Sequence, residues 1–172
     1  EDAAPAIKSV KNLGIKTVTL TGDAQESAEA VAKETGVDEV YAKLLPEDKV
    51  TKLQEIRQKD GAVMFVGDGI NDAPVLAGAD VGAAMGNGAD SAIEAADVVF
   101  MNSEMNAIPE ALSIARQTNK ISWQNVYFAL AVKIIVMIMG LCGHANMWLA
   151  VFADTGVSVI CLLNSVRILR RK

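Results

Sequence analysis

Two apolar stretches, residues 121–140 and 147–166, set the limits within which this chain can fold. Each is close to the roughly 20 residues that a helix needs to cross the hydrocarbon core of a bilayer. Only Leu141-Cys142-Gly143-His144-Ala145-Asn146 separates them, which allows nothing but a tight hairpin turn. Arg116 and Lys120 flank one end of the hairpin, and Arg167, Arg170, Arg171 and Lys172 flank the other. Basic residues stay on the cytoplasmic side, so both ends are expected in the cytoplasm, with Trp123 and Trp148 at opposite interfaces. A buried helical hairpin of a soluble protein would account for the apolarity but not for the basic flanks.

The rest of the chain has a different character. Residues 1–120 carry 11 Lys and Arg against 20 Asp and Glu, whereas residues 121–172 carry 5 against 1. An acidic half argues against a nucleic-acid partner, because phosphate backbones need clustered basic residues. The basic tail suits a membrane surface. Cys142 and Cys161 both lie in the apolar half, too few and too far apart for a disulfide framework or a CxxC site, and they read as small apolar side chains. The opening Glu1-Asp2-Ala3-Ala4-Pro5 has neither an initiator methionine nor a basic-then-apolar leader, so part of a longer protein is expected.

Along the acidic half, strand and helix patterns alternate. A short helix from Asp2 to Asn12 runs into Gly14, and Ile15-Lys16-Thr17-Val18-Thr19-Leu20 alternates like a strand before Thr21-Gly22-Asp23. Residues 24–35 show helical spacing closed by Gly36, and Val37 to Ala42 reads as a strand. Pro46-Glu47-Asp48 starts a helix whose apolar face is Val50, Leu53 and Ile56. Ala62 to Val66, Ala79 to Met85 and Ala96 to Phe100 are further strands, with a small-residue helix from Ala89 to Ala95. Such alternation predicts an α/β, Rossmann-like parallel sheet domain, followed by the two-helix transmembrane hairpin. From Asn106 a helical pattern runs through Ser122-Trp123-Gln124-Asn125 with no stop signal, so a cytoplasmic helix is expected to continue into the membrane.

The chemistry concentrates after the strand Ala62 to Val66, in Gly67-Asp68-Gly69-Ile70-Asn71-Asp72-Ala73-Pro74. Open α/β sheets place their ligands at the carboxyl ends of strands. Two carboxylates four residues apart around a tight turn suit a hard cation that keeps some of its waters, which makes Asp68 and Asp72 candidate Mg²⁺ ligands. Glycines 67 and 69 permit close approach to a phosphate, and Asn71, Asp72 and Pro74 can start a helix.

This string resembles the hinge motif of P-type ATPases, members of the haloacid dehalogenase superfamily. The resemblance implies that Thr21-Gly22-Asp23 is a phosphate motif in which Thr21 donates to the phosphoryl group, and that Lys49 neutralises phosphate charge. It also implies that Asp68 binds Mg²⁺ directly, with Asn71 and Asp72 ordering the water and phosphate side. The family's phosphorylated aspartate lies in a DKTGT motif, which this sequence lacks, and ATP would be bound mainly by a nucleotide domain that is also absent from it.

Lys133 lies about ten residues before the hairpin turn and Asp154 about ten after it, so at about 1.5 Å per residue both sit about 15 Å deep and can face each other. An intramembrane charge costs about 2.5 to 3.5 kcal/mol on insertion scales and marks a functional site by default. Asn125 with seven residues before Lys133, and Asp154-Thr155-Gly156 with seven before Asn164, resemble the last two membrane helices of heavy-metal P-type ATPases of the zinc, cadmium and lead group. There the aspartate helps bind the transported soft divalent ion and the lysine is a built-in counter-charge. Cys142 and His144 fall in the outer turn and read as loop residues.

The expectation is therefore part of a multi-pass cell-membrane pump exporting metal through an aspartyl-phosphate, partnered by the bilayer and by upstream domains of the same pump. Residues 1–105 would belong to its phosphorylation domain, 106–120 to a connecting helix and 121–172 to the last membrane helices and tail. The rival readings are a membrane-anchored, non-enzymatic remnant that regulates such a pump, and a truncated soluble phosphatase. The hairpin speaks against the second.

Overall fold

The computed structural model describes residues 3–102, 104–144 and 146–169. They fall into two compact units, Glu1–Glu110 and Ala111–Lys172. The first contains α1 (Ala3–Asn12), β1 (Val18–Leu20), α2 (Gln25–Thr35), β2 (Glu39–Tyr41), α3 (Pro46–Asp60), β3 (Met64–Gly67), α4 (Ala73–Gly78), β4 (Val81–Met85), α5 (Asp90–Ala95) and β5 (Val98–Phe100). Every strand pairing is parallel. Val18 lies against Glu39, Met64 against Val81, and Ala83 against Val98.

The predicted parallel α/β architecture is present, but its sheet is in two pieces, β1-β2 and β3-β4-β5. Among the described residues β1 pairs only with β2 and β3 only with β4, so each keeps one open edge. A cavity of about 440 Å³ lies along both, lined by Val18 and Leu20 of β1, Met64 and Phe65 of β3, and Leu53 and Ile56 of α3. On the far side of β3, α4 and α5 close over β4. Leu76, Ala84 and Ala92 form a fully buried cluster with Phe65 and Ile93 against it. The alanines are what let two short helices approach the sheet closely.

Local chemistry explains where the elements begin. The strand expected from Ile15 starts only at Val18, because the Thr17 N–H and Oγ1–H both donate to Asp38 Oδ2 at 2.9 Å instead of entering a ladder. At the head of α3, Pro46 occupies the first turn and the Asp48 carboxylate accepts the Leu45 N–H at 3.1 Å. The buried face of α3 is Leu53 and Ile56.

Asp38 thus ties the starts of β1 and β2, and its Oδ1 also meets Lys11 Nζ at 2.7 Å. The Lys11 ammonium, followed by the Thr17 amide and hydroxyl, lowers its carboxyl from 3.8 to about 2. A carboxyl lowered by folding stabilises the fold fully above its unfolded value and loses that contribution as pH falls through the folded one. The stability gap between the wild-type chain and Asp38→Asn is therefore expected to narrow between pH 3.8 and about 2, as followed by acid unfolding in detergent. A gap unchanged at pH 2 would contradict this.

The helix α6 (Ala107–Leu141), which belongs to the second unit from Ala111 on, is 35 residues long and unbroken. At about 1.5 Å per residue it measures about 52 Å, against the ~30 Å of a bilayer core. After the turn come α7 (Met147–Val151), a π-helical turn Phe152–Gly156, α8 (Val157–Ser165) and a 3₁₀ turn Val166–Ile168. Together Met147–Ile168 form a second apolar helix of 22 residues, so both helices are long and apolar enough to cross a membrane. The Asn146 side chain begins it by accepting the Leu149 N–H at 2.8 Å. Ile121, Ala153 and Val157 are buried, while Trp123, Phe128, Ile134, Ile138, Leu162 and Leu163 are exposed. A soluble hairpin would bury such a surface; lipid or further helices suit it.

Candidate active site and membrane ion pair

β1 ends in a turn that binds itself. The Thr21 Oγ1–H donates to Asp23 Oδ2 at 2.8 Å, and Thr21 Oγ1 in turn accepts the Asp23 N–H at 3.2 Å. Gly22 lies exposed between them. The backbone then stitches this turn to the segment leading into α3. Leu44 N–H donates to the Thr21 carbonyl at 3.1 Å, and Lys43, at φ 55, donates its N–H to the Asp23 carbonyl at 2.9 Å.

At the first turn of α3, Lys49 Nζ meets Asp72 Oδ1 at 2.8 Å, with the two side chains only 16% and 15% exposed. Asp72 ends the 3₁₀ turn Ile70–Asp72 that follows β3. It occupies the cap position of α4 yet caps no amide, because its carboxylate is committed to the ammonium. It folds back over the strand end, which the bare backbone permits: a Cβ on Gly67 would lie 2.9 Å from Asp72 Cβ.

Asp68 is exposed, and among the described residues its carboxylate has no hydrogen bond or ion pair. Its backbone is held instead. The Asp68 carbonyl accepts the Ala89 N–H at 2.9 Å, and a Cβ on Gly88 would come within 2.8 Å of that carbonyl oxygen. The turn Gly86-Asn87-Gly88 after β4 therefore supports Asp68, a role not read from the sequence although a Gly-x-Gly directly after a strand is a signal for close backbone approach. Asn71 is exposed beside it.

The structure thus brings Lys49 to Asp72 and Thr21 to Asp23. No direct bond among the described residues joins the Thr21 turn to Lys49, Asp68 or Asp72, and the link runs through the Leu44 backbone. No cluster of three or more His, Cys, Asp or Glu side chains suited to a metal occurs among the described residues. Mg²⁺ does not require one, since it keeps several waters and takes one or two carboxylates plus phosphate oxygens. The unengaged Asp68 carboxylate, with a neutralised Asp72 four residues on, is a donor set of that kind.

In the membrane unit, Lys133 Nζ lies 3.5 Å from Asp154 Oδ1, with side chains 58% and 80% exposed. Asp154 sits inside the π turn, a geometry that recurs at functional sites. In the hairpin turn, the His144 ring nitrogen lies 2.9 Å from the Cys142 carbonyl.

Residues 1–80 match the family described as haloacid dehalogenase-like hydrolase. The chain is 51% identical over 177 residues to the cadmium, zinc and cobalt-transporting ATPase of Bacillus subtilis (strain 168), covering 100% of this chain and 25% of that protein. It is 48% identical to the zinc-transporting ATPase of Synechocystis sp. (strain ATCC 27184 / PCC 6803 / Kazusa), covering 98% and 24%. A crystal structure of a zinc-transporting PIB-type ATPase in the E2.Pi state matches with a TM-score of 0.94 and 43% identity, over 98% of this chain and 28% of that one. The chain spans about a quarter of the length of the curated relatives it matches.

A haloacid dehalogenase-like parallel sheet domain followed by two long apolar helices is the arrangement of a P-type ATPase segment. Over its whole length the chain is similar to one segment of metal-transporting P-type ATPases of the PIB type.

Proposed function

We propose that this chain is the part of an ATP-driven metal exporter that supplies both its Mg²⁺ and phosphate site and an intramembrane ion site. The observation that carries the reading is that one chain holds both an open carboxylate beside a lysine-neutralised one and a lysine–aspartate pair between two membrane-length helices. In this reading Asp68 and Asp72 hold Mg²⁺, which when bound would offset charge on the phosphoryl group. Lys49 adds fixed positive charge next to Asp72. Thr21 exchanges its bond to Asp23 for one to a phosphoryl oxygen, with Gly22 and Asp23 shaping the turn and Asn71 ordering water.

The cavity between β1 and β3 suits one more strand, parallel to both and apolar on the faces that meet Leu53 and Ile56. We assign it to the strand bearing the DKTGT nucleophile in the remainder of the protein, which would also contribute the nucleotide domain. Zinc and cadmium are the proposed cargo, with lead included on the resemblance of the membrane helices. The cargo ion would bind at Asp154, with Lys133 as the competing counter-charge. In this reading the basic flanks favour the cytoplasm for the α/β unit and both hairpin ends, and the divisions at residues 105 and 120 would separate phosphorylation domain, connecting helix and membrane pair.

The test is ATP hydrolysis by the full-length protein in liposomes. Stimulation by zinc or cadmium is expected, with none from the 172-residue chain alone, whose sequence lacks the DKTGT motif. Metal-dependent phosphate release by the short chain, or no stimulation of the long one, would overturn the reading.

A further inference from the structure

One polar cluster in the membrane hairpin lies outside the Lys133–Asp154 pair. Asn125 of α6 donates from Nδ2 to the Cys161 carbonyl at 3.1 Å and to Ser165 Oγ at 2.9 Å. Its Oδ1 accepts from Asn164 Nδ2 at 2.8 Å, and Asn164 Oδ1 accepts from Arg167 Nη1 at 3.0 Å. Ser165 Oγ donates to the Cys161 carbonyl at 3.0 Å, and Cys161 Sγ approaches the Asn125 carbonyl at 3.7 Å.

The direction of this chain of bonds is fixed at both ends. A backbone carbonyl only accepts and a guanidinium only donates. The amide nitrogen of Asn125 must therefore face Cys161, its oxygen must face Asn164, and the oxygen of Asn164 must face Arg167. Both N–H donors of Asn125 and its amide oxygen are thus occupied by protein, which suits a fastener and leaves it poorly placed to ligate an ion.

In lipid, apolar helix faces have no hydrophobic reason to hold one register against another, and packing and interhelical hydrogen bonds set it. The Lys133–Asp154 contact is long at 3.5 Å and makes no hydrogen bond. Asn125 lies eight residues, about 12 Å, from Lys133 on the same helix. A slide of one turn, about 5.4 Å, would separate ammonium from carboxylate.

We infer that Asn125 and Asn164 form an amide clasp that sets the register of the two membrane helices and so keeps Lys133 within reach of Asp154. They are positioning residues for ion release. The inference rests on the reading of that pair as the ion site. Loss of the clasp then withdraws the ammonium from the carboxylate and should reproduce the loss of Lys133 itself.

The experiment uses the full-length protein in liposomes, reading zinc-stimulated turnover and zinc retained per protein after rapid desalting. Asn164→Leu is expected to lower turnover about tenfold while zinc stays bound, as Lys133→Ala does, and the double variant is expected to be no worse than Lys133→Ala alone. Asn125→Asp loses the donors to Cys161 and Ser165 and sets an oxygen against the Cys161 carbonyl, so it should match Asn164→Leu, with turnover down about tenfold and zinc still bound. If Asn164→Leu yields no folded protein, Asn125→Asp decides alone. Losses that add in the double variant, zinc lost from either single variant, or an Asn125→Asp protein with wild-type turnover would each overturn the clasp. If Lys133→Ala itself leaves turnover and zinc retention unchanged, what falls is the ion-site reading beneath it.

Discussion

In the proposed full-length pump, Asp68→Asn is expected to lower Mg²⁺-dependent phosphoenzyme formation by at least about a hundredfold, the scale on which removal of one preorganised electrostatic contact reduces turnover. The fold should survive. Asp68 is exposed, its carboxylate supports no neighbour among the described residues, and what holds the loop is its backbone carbonyl against Ala89. An amide of the same shape therefore removes the charge a hard cation needs and little else. Asp72→Asn should differ, because it also strips Lys49 of its partner and leaves a half-buried ammonium uncompensated. Phosphoenzyme formed from ATP at limiting Mg²⁺ is the measurement, with thermal unfolding as control. Normal phosphoenzyme levels in Asp68→Asn would remove it from the ligand set.

The second large effect is expected in the membrane. Asp154→Asn should lose both bound metal and metal-stimulated turnover, because a neutral amide is a poor ligand for a divalent cation. Lys133→Ala should keep the metal and release it slowly. An intramembrane charge left alone costs about 2.5 to 3.5 kcal/mol on insertion scales, so the carboxylate freed of its ammonium holds a cation more firmly. A purely structural ion pair makes a different forecast: either single change destabilises the hairpin, and neutralising both restores stability and transport. Recovery of zinc-stimulated turnover in the Asp154→Asn/Lys133→Ala protein would send the ion along another route.

Much of this was legible in the residues because it is local. The helix starting at Pro46, the end of α2 at Gly36 and the unbroken helix Ala107–Leu141 follow from caps, glycines and their absence. What was not legible is what depends on distant partners. Asp72 looked like a helix cap, but Lys49, 23 residues earlier, claims its carboxylate. Thr17 looked like strand, but Asp38, 21 residues later, ends the ladder there. Gly86 and Gly88 drew no reading from the sequence, because their role shows only in the Asp68 carbonyl against Gly88. Asn125 and Asn164 were visible only as a spacing, since periodicity does not say which faces of two helices meet.

The open cavity between β1 and β3 bears on how the active site comes into being. A two-stranded ribbon such as β1-β2 is marginal in water by itself, and an unpaired edge invites foreign strands. Thr21 rides on that ribbon while Asp68 and Asp72 ride on the other piece, and no strand pairing among the described residues joins the two. In the proposed assembly the spanning element is also the carrier of the nucleophile, which makes it a keystone. In that proposal the residue that attacks ATP and the rigidity that aims phosphate-binding groups at it would arrive in one step, and a pump assembled without that strand would be disarmed before it could misfire.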